Sequence, residues 1–250
     1  MARSRSRRLW MWLLGSVVAL AVLVTGGTWL YIHVLQGPAP APLSLKSAAS
    51  SQPSASATTA QGSDSNSGSA TAMRGGAIAG SWRVVSGSVV GYRVNEVLAG
   101  QNNVAVGRTS RITGSMTVQG ARVTAASFTV QMATIKSDQS ERDAQFDGRI
   151  MDTAAFPTGT LKLTSPIALG SLPAAGVVKT YHVTADLTLH GHKRAVTFAL
   201  QAERTSAGIE VSGSIPIVFA DWSISNPSFA GFVTTQNHGL LEFLVKFSKS

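Results

Sequence analysis

The sequence of 250 residues contains no cysteine. Disulfide bonds and a lipid-modified cysteine anchor are therefore excluded, so a folded domain must be stabilised by its core alone. The sequence also lacks the Gly-x-Ser-x-Gly elbow, the Gly-x-x-x-x-Gly-Lys phosphate loop, the Gly-x-Gly-x-x-Gly fingerprint and the His-Glu-x-x-His motif. These absences argue against a serine hydrolase, a nucleotide-binding enzyme and a zinc protease.

The formal net charge of +9 does not predict a nucleic-acid partner. From Ala77 to the C-terminus there are 15 Lys and Arg against 11 Asp and Glu, which leaves only +4. No concentrated basic stripe with interleaved aromatic residues is present, so nucleic acid is not expected to bind. Most of the remaining charge lies in a basic tail at residues 1–8, which contains Arg3, Arg5, Arg7 and Arg8.

The segment Leu9–Leu35 has 27 residues and no Asp, Glu, Lys or Arg. A helix needs about 20 apolar residues to cross a bilayer, so a transmembrane signal-anchor is predicted at 9–35. Aromatic residues mark both ends, as in an interfacial belt: Trp10, Trp12, Trp29 and Tyr31. The basic tail places the N-terminus in the cytoplasm. The prediction is a single-pass cell-membrane protein with an extracytoplasmic C-terminal domain.

A cleaved signal peptide is the alternative for the same segment. The apolar region of a signal peptide usually has about 7–15 residues, roughly half the length found here. Ala39-Pro40-Ala41 resembles a cleavage site, but Pro42 follows directly and is expected to hinder cleavage. The signal-anchor is therefore preferred, and cleavage would make the protein secreted.

Residues 36–76 are rich in Ser, Ala, Thr, Pro and Gly and contain no aromatic residue. Such a composition cannot bury enough apolar surface to offset the entropy of ordering, so a flexible linker is predicted. A folded domain follows at 77–250. Its pattern has a period of two residues, which is typical of half-buried strands. One example alternates Tyr181, Val183 and Ala185 with His182 and Thr184.

Turn signals such as His190-Gly191 separate the strands and indicate antiparallel hairpins. About eight such strands predict an all-β domain, either an up-and-down barrel or a sandwich. One helix is predicted at Asp138–Met151, with Asp138 as N-cap and Glu141 as its capping-box partner. Phe146 and Ile150 share one face, which should pack against the sheet. The structural motif Glu141-Arg142-Asp143 places Asp143 near that face, where an arginine or backbone N–H groups must satisfy it.

These segments together resemble the YceI-like family of polyisoprenoid-binding, lipocalin-like proteins. The resemblance rests on the order of several short motifs: Gly80-Ser81-Trp82, Val106-Gly107, the Glu-Arg-Asp triplet within Ser137–Asp152, Phe156-Pro157 before Leu161–Ser165, Ala185–Gly191 before Val196–Phe198, and Ile215–Trp222. It implies an eight-stranded antiparallel barrel whose apolar lumen takes an isoprenoid or other long-chain lipid, of polyprenyl or quinone type. No other cofactor is implied, and whether two barrels pair as a homodimer stays open.

The resemblance and the strand phase together predict which residues contact the lipid. The predicted lumen positions are Phe128, Val130, Met132, Leu161, Leu163, Leu187, Leu189, Phe198, Ile217 and Phe219. The predicted entrance residues are Trp222, Phe229 and Phe232. The same alternation also fits a fully packed core, because both arrangements need apolar inward faces.

Chemical alternatives have weaker support in the sequence. His190, His192 and Asp186 could ligate a metal, but a polar hairpin turn explains the histidines more simply, so no metal is predicted. The carboxylates from Glu141 to Asp152 could do acid–base chemistry, although helix capping explains the first of them. We therefore expect a binding protein and not an enzyme. A ligand-free interaction domain and, less favoured, an enzyme acting on a lipid remain as alternatives.

Overall fold

The computed structural model describes residues 15–16, 22, 26–27, 39–45, 78–98, 100–171, 174–229, 231 and 233–250. Apart from five positions, the predicted span at 9–35 lies outside these residues, as does most of the predicted linker. Within the described ranges, no helix combines the length and apolarity needed to cross a membrane. Nearly all described residues belong to the C-terminal domain.

The described part of this domain contains twelve strands joined in a single antiparallel sheet. The strands are β1 Gly80–Val84, β2 Val89–Leu98, β3 Gln101–Thr109, β4 Ile112–Gln119, β5 Arg122–Gln131, β6 Thr158–Leu163, β7 Ile167–Ala168, β8 Lys179–Leu189, β9 His192–Arg204, β10 Ile209–Val218, β11 Val233–Thr235 and β12 His238–Lys249. The helix α1 covers Ser140–Gln145 and continues into a π-helical turn at Phe146–Ile150. Short 3₁₀ turns cover Met132–Thr134 and Phe219–Trp222.

Eight of the strands close into a ring. Their order is β1, β4, β5, β6, β8, β9, β10 and β12, and β12 pairs again with β1. The prediction of an eight-stranded antiparallel barrel is therefore confirmed. The barrel wall extends beyond these eight strands, because β12 pairs with β1 near Phe247 and with β2 near Leu241. The hairpin β2–β3 thus extends the wall on the side where α1 lies.

The hairpin between β8 and β9 shows how local sequence fixes the strand register. Leu189 pairs with His192, so only His190 and Gly191 form the loop. Both loop residues have positive φ, 47° and 75°. A two-residue loop with two positive φ angles follows the right-handed twist of the strands, and glycine adopts this backbone without strain. This register keeps Tyr181 and every second residue after it on the inner face of β8.

Apolar side chains inside the barrel form two clusters. The lower cluster, next to α1, includes Phe146, Leu187 and Trp222. The upper cluster, at the opposite end, includes Trp82 and Phe247. Partly buried side chains contact both clusters, among them Val130, Leu163, Leu200 and Phe243. The interior is therefore one continuous apolar space along the barrel.

The helix is shorter than predicted and starts differently. It begins at Ser140, with Gln139 and not Asp138 at the N-cap position. The Asp138 carboxylate instead accepts a hydrogen bond from Arg142, and Glu141 is exposed and accepts one from the Ser140 hydroxyl. The capping-box prediction for Asp138 and Glu141 is therefore wrong. The extended backbone before α1 is held by another contact, between Asp143 and Ser137.

Candidate ligand-binding cavity

The barrel encloses an apolar cavity of about 310 Å³. Pockets that bind small molecules have volumes of roughly 300–1,000 Å³, so this one lies at the lower end of that range. Side chains from both apolar clusters line it, and seven of the eight barrel strands, all except β1, contribute residues. The interior is thus hollow, whereas the sequence pattern was equally compatible with a packed core.

All ten predicted lumen residues lie on the cavity wall. The register explains why residues from separate strands meet. Phe128 on β5 pairs with Leu161 on β6, and Leu161 pairs in turn with Leu187 on β8. Directly paired residues point to the same face of a sheet, so these three side chains form one row across the inner wall. Whether they contact a lipid stays a prediction.

A second part of the wall was absent from the predicted set. It comes from β2, β3 and β12 and comprises Val90, Tyr92, Val94, Ala105, Leu241, Phe243, Val245 and Phe247. The alternation on β12 is readable from the sequence. On β2, Val90, Tyr92 and Val94 alternate with Gly91 and Arg93 in the same way, and the signal weakens only where Glu96 takes the next inward position.

The segment of α1 and its π-helical turn closes the lower end of the cavity. The Phe146 ring stacks on Tyr92, with ring centroids 5.2 Å apart and an interplanar angle of 16°. Ile150 and Met151 also line the cavity. As predicted, Phe146 is buried and Ile150 packs against the lower cluster. We call the segment Ser140–Met151 the lid.

The lid is tied to the loop that precedes β11. The Arg149 guanidinium donates to the carbonyl oxygens of Asn226 and Pro227, at 3.4 and 3.1 Å. The side-chain amide of Asn226 donates to the carbonyls of Thr235 and Gln236, which closes this loop on itself. Pro227 and Thr235 line the cavity, so the lid and the loop together form its lower boundary.

A small cluster of charged side chains, centred on Arg142 of the lid, interrupts the apolar wall. Arg142 lies 3.2 Å from the Glu96 carboxylate and also pairs with Asp138. Burial by itself would lower the pKa of Arg142, but the carboxylates of Glu96 and Asp138 outweigh it, and the pKa is raised. Burial raises the pKa of the neighbouring Tyr92 phenol well above its ordinary value. The phenol is neutral at physiological pH and the arginine is balanced by carboxylates, so this end of the cavity suits an uncharged ligand.

Asp143 is satisfied as the sequence requires. One carboxylate oxygen accepts hydrogen bonds from the backbone N–H and from the hydroxyl of Ser137, both at 2.8 Å. The prediction that a backbone N–H would satisfy this partly buried carboxylate is confirmed. The contact joins the fourth residue of α1 to the chain that enters it, which fixes the position of the lid.

The predicted entrance residues have different environments. Trp222 is only 3% exposed, belongs to the lower cluster, and donates its indole N–H to the Leu187 carbonyl at 3.4 Å. It is therefore a buried core residue and not an exposed gate, because its 3₁₀ turn folds back onto β8. Phe229 is 58% exposed in the loop before β11. Phe232 lies outside the described residues.

The residues considered for metal binding have other contacts. The Phe156 ring packs against His190 at a centroid distance of 4.5 Å, and His190 Nδ1 lies 3.2 Å from the Trp222 carbonyl oxygen. Asp186 lies 3.5 Å from the Lys193 ammonium group. Across the described residues, no group of three or more His, Cys, Asp or Glu side chains is placed to hold a metal ion. Asp147, one of the carboxylates considered for acid–base chemistry, pairs with the Lys136 ammonium group at 3.1 Å.

Comparison with known proteins supports the likeness in fold. Residues 82–247 match the family model described as the YceI-like domain. The chain is similar to a polyisoprenoid binding domain from Saccharophagus degradans implicated in plant cell wall breakdown, at 15% identity and a TM-score of 0.55, with 68% of this chain and 98% of that chain covered. It also aligns with BcnA from Burkholderia cenocepacia, at 20% identity and a TM-score of 0.49, over 63% of this chain and 96% of that chain. A comparison with curated proteins found no match.

Proposed function

Because this chain belongs to the YceI-like family, we propose that its barrel binds a long-chain isoprenoid or related lipid, of polyprenyl or quinone type, for storage or transport. The observation that carries the proposal is the hollow apolar interior, with about 310 Å³ of free space. The domain from Saccharophagus degradans, which shares the fold, is a polyisoprenoid binding domain, and this supports the class of ligand.

The energy of binding would come from burial of the hydrocarbon chain. Each buried methylene contributes about 0.8 kcal/mol, so ten of them contribute about 8 kcal/mol. That sum corresponds to a dissociation constant of roughly 1 μM before the cost of ordering the ligand is subtracted. No charged partner is required, which agrees with the balanced charges around Arg142.

We further propose that the barrel is tethered outside the cytoplasm by the segment 9–35. The support is the length of the uncharged run and the arginines before it. Membrane fractionation of the full chain, followed by protease treatment of intact cells, tests both parts. Recovery of the protein in the soluble extracellular fraction would favour the cleaved, secreted form. Protection of the barrel from the protease would place it in the cytoplasm and contradict the proposal.

Lipid binding is tested on residues 37–250, which omit only the basic tail, the predicted span and Gln36. The purified protein is extracted with organic solvent, and co-purifying lipid is identified and quantified by mass spectrometry. The expected result is an isoprenoid at close to one molecule per barrel. A barrel that is empty and also fails to take up a fluorescent polyprenyl probe would favour the ligand-free interaction domain, and turnover of an added lipid would favour an enzyme.

A matched pair of variants makes the test specific to the lumen. Ala185 lines the cavity and is 1% exposed, whereas Ala199 on the neighbouring strand β9 faces outward and is exposed. We expect Ala185→Phe to fill part of the cavity and lower the lipid content, whereas Ala199→Phe leaves the lipid content unchanged. Equal lipid content in the two variants would place the ligand outside the barrel.

A further inference from the structure

Two apolar side chains outside the lumen are buried, and this requires a cover. Val106 on β3 and Leu244 on β12 are each only 6% exposed. Neither belongs to the two interior clusters, and neither lines the cavity. Their neighbours Ala105 and Val245 do line it, and side chains alternate along a strand, so Val106 and Leu244 point to the outer face. An outer face is normally exposed to solvent.

The same outer face holds a buried carboxylate with two arginines. Glu242 on β12 is 4% exposed and accepts a hydrogen bond from Arg93 Nε on β2 at 2.6 Å. Arg108 on β3 lies 3.3 Å from the other oxygen of this carboxylate. Both arginines also donate to a distant part of the chain: Arg93 to the Pro40 carbonyl and Arg108 to the Ala41 carbonyl. A buried Glu242 thus orients two guanidinium groups towards residues that precede the domain.

Those acceptors belong to Ala39–Leu45, which we call the strap. The strap lies within the sequence predicted to be a flexible linker. Leu43 is half-buried and Leu45 is only 5% exposed. Pro40 and Pro42 restrict the backbone, which lowers the entropy lost when the strap becomes ordered. The strap therefore has both the apolar side chains and the backbone acceptors that fit the outer face of β2, β3 and β12.

We propose that the strap docks on this outer face and thereby holds the barrel against the bilayer, an inference that rests on the proposed membrane anchor. Leu35 ends the predicted span, and only residues 36–38 separate it from the strap. Four residue steps reach at most about 14 Å. A free coil from Leu35 to Ile78 would have a root-mean-square length of roughly 35 Å. Docking therefore fixes both the height of the barrel and the side that faces the membrane.

Cysteine accessibility in the full chain tests the docking. The natural sequence has no cysteine, so each introduced thiol is unique. We expect Leu45→Cys to react with a maleimide at least about tenfold more slowly than Ala41→Cys, because residue 45 is buried and residue 41 is exposed. In denaturant the two rates should become equal. Adding Leu43→Asp to the Leu45→Cys chain should release the strap and accelerate the reaction. Equal rates in the folded protein would overturn the docking.

The height of the barrel is measured on the full chain in lipid nanodiscs. A donor dye is placed on Ala207→Cys, in the exposed turn between β9 and β10, and an acceptor dye is placed on lipid headgroups. The double change Leu43→Asp and Leu45→Asp should lower energy transfer and broaden its distribution, because the tether lengthens. Ala41→Asp adds a charge at an exposed position of the strap and should leave the transfer unchanged. The same transfer in all three chains would overturn the proposal.

The outcomes separate this proposal from the others. A full chain that does not remain with the nanodiscs would overturn the anchor, and with it the placement at the bilayer, while the maleimide rates would still decide whether the strap docks. An empty barrel would overturn lipid binding without affecting either measurement. Both substitutions that release the strap lie outside the barrel domain at 77–250, so the circular dichroism of the barrel should be retained.

Discussion

Asp143 should contribute measurably to stability without affecting the choice of lipid. Its carboxylate accepts two hydrogen bonds of 2.8 Å from Ser137 and is only partly exposed. Hydrogen bonds to charged groups contribute about 1.5–3 kcal/mol each, with the lower values at exposed sites, so we expect Asp143→Ala to cost about 2 kcal/mol. For a domain of this size each kcal/mol lowers Tm by about 2–4 °C, which predicts a loss of about 4–8 °C.

The assay is thermal unfolding followed by circular dichroism, with lipid content measured on the same samples. Glu141→Ala is the matched control, because Glu141 is exposed and its only described partner is the hydroxyl of the adjacent Ser140. Its effect should stay within about 0.5 kcal/mol. A cycle with Ser137→Ala should show that the two changes are not additive, since they remove a shared contact. An unchanged Tm with an altered lipid preference would refute the reasoning and give Asp143 a role at the ligand.

Three further predictions concern the lower end of the barrel. Gly107→Ala should destabilise the fold by about 1–3 kcal/mol, because a Cβ there would lie 2.3 Å from the Tyr92 ring; an unchanged urea midpoint would contradict this. Arg149→Ala should accelerate release of a fluorescent polyprenyl probe several-fold, because the lid loses its bonds to Asn226 and Pro227. Arg122→Ala, a control at the upper end of the barrel, should leave the release rate unchanged. Equal release rates for Arg149→Ala and Arg122→Ala would argue against a mobile lid. Burial raises the pKa of Tyr92 above 10.0, so its contribution to stability is present below pH 10 and is lost as the pH rises through the raised value. Unfolding in urea at pH 8 and pH 11 should therefore show a smaller alkaline loss for Tyr92→Phe than for the natural chain, and an equal loss would contradict the shift.

The strands and their inward faces follow from the sequence, because alternation is a local property. Tyr181, Val183 and Ala185 are inside since every second residue of a strand points to the same face. The short His190-Gly191 loop pairs β8 with β9 in one register, and the other strands extend the wall by the same rule. This phase places the predicted lumen residues that lie on strands, whereas Met132 and Phe219 lie in the 3₁₀ turns that follow β5 and β10.

The start of α1 and the environment of Trp222 differ from what the sequence pattern predicts. Asp138 has the sequence signature of an N-cap, but its carboxylate pairs with Arg142, and Asp143 instead accepts from the chain that enters the helix. Trp222 is predicted at the entrance, yet its 3₁₀ turn buries it against β8. At α1 the competing contacts are themselves local, four and six residues apart in the sequence, whereas at Trp222 a tertiary contact with β8 was stronger than the local preference.

The sequence by itself determined an antiparallel all-β domain with one charged helix and an apolar inner face, because spacing and turn residues act over a few positions. Only the tertiary structure decided that this inner face surrounds a cavity, since the free volume depends on how eight tilted strands close and how far their side chains reach across the ring. It also decided that the strap lies on the barrel. Arg93 and the Pro40 carbonyl are 53 residues apart in sequence, and no local pattern encodes their contact.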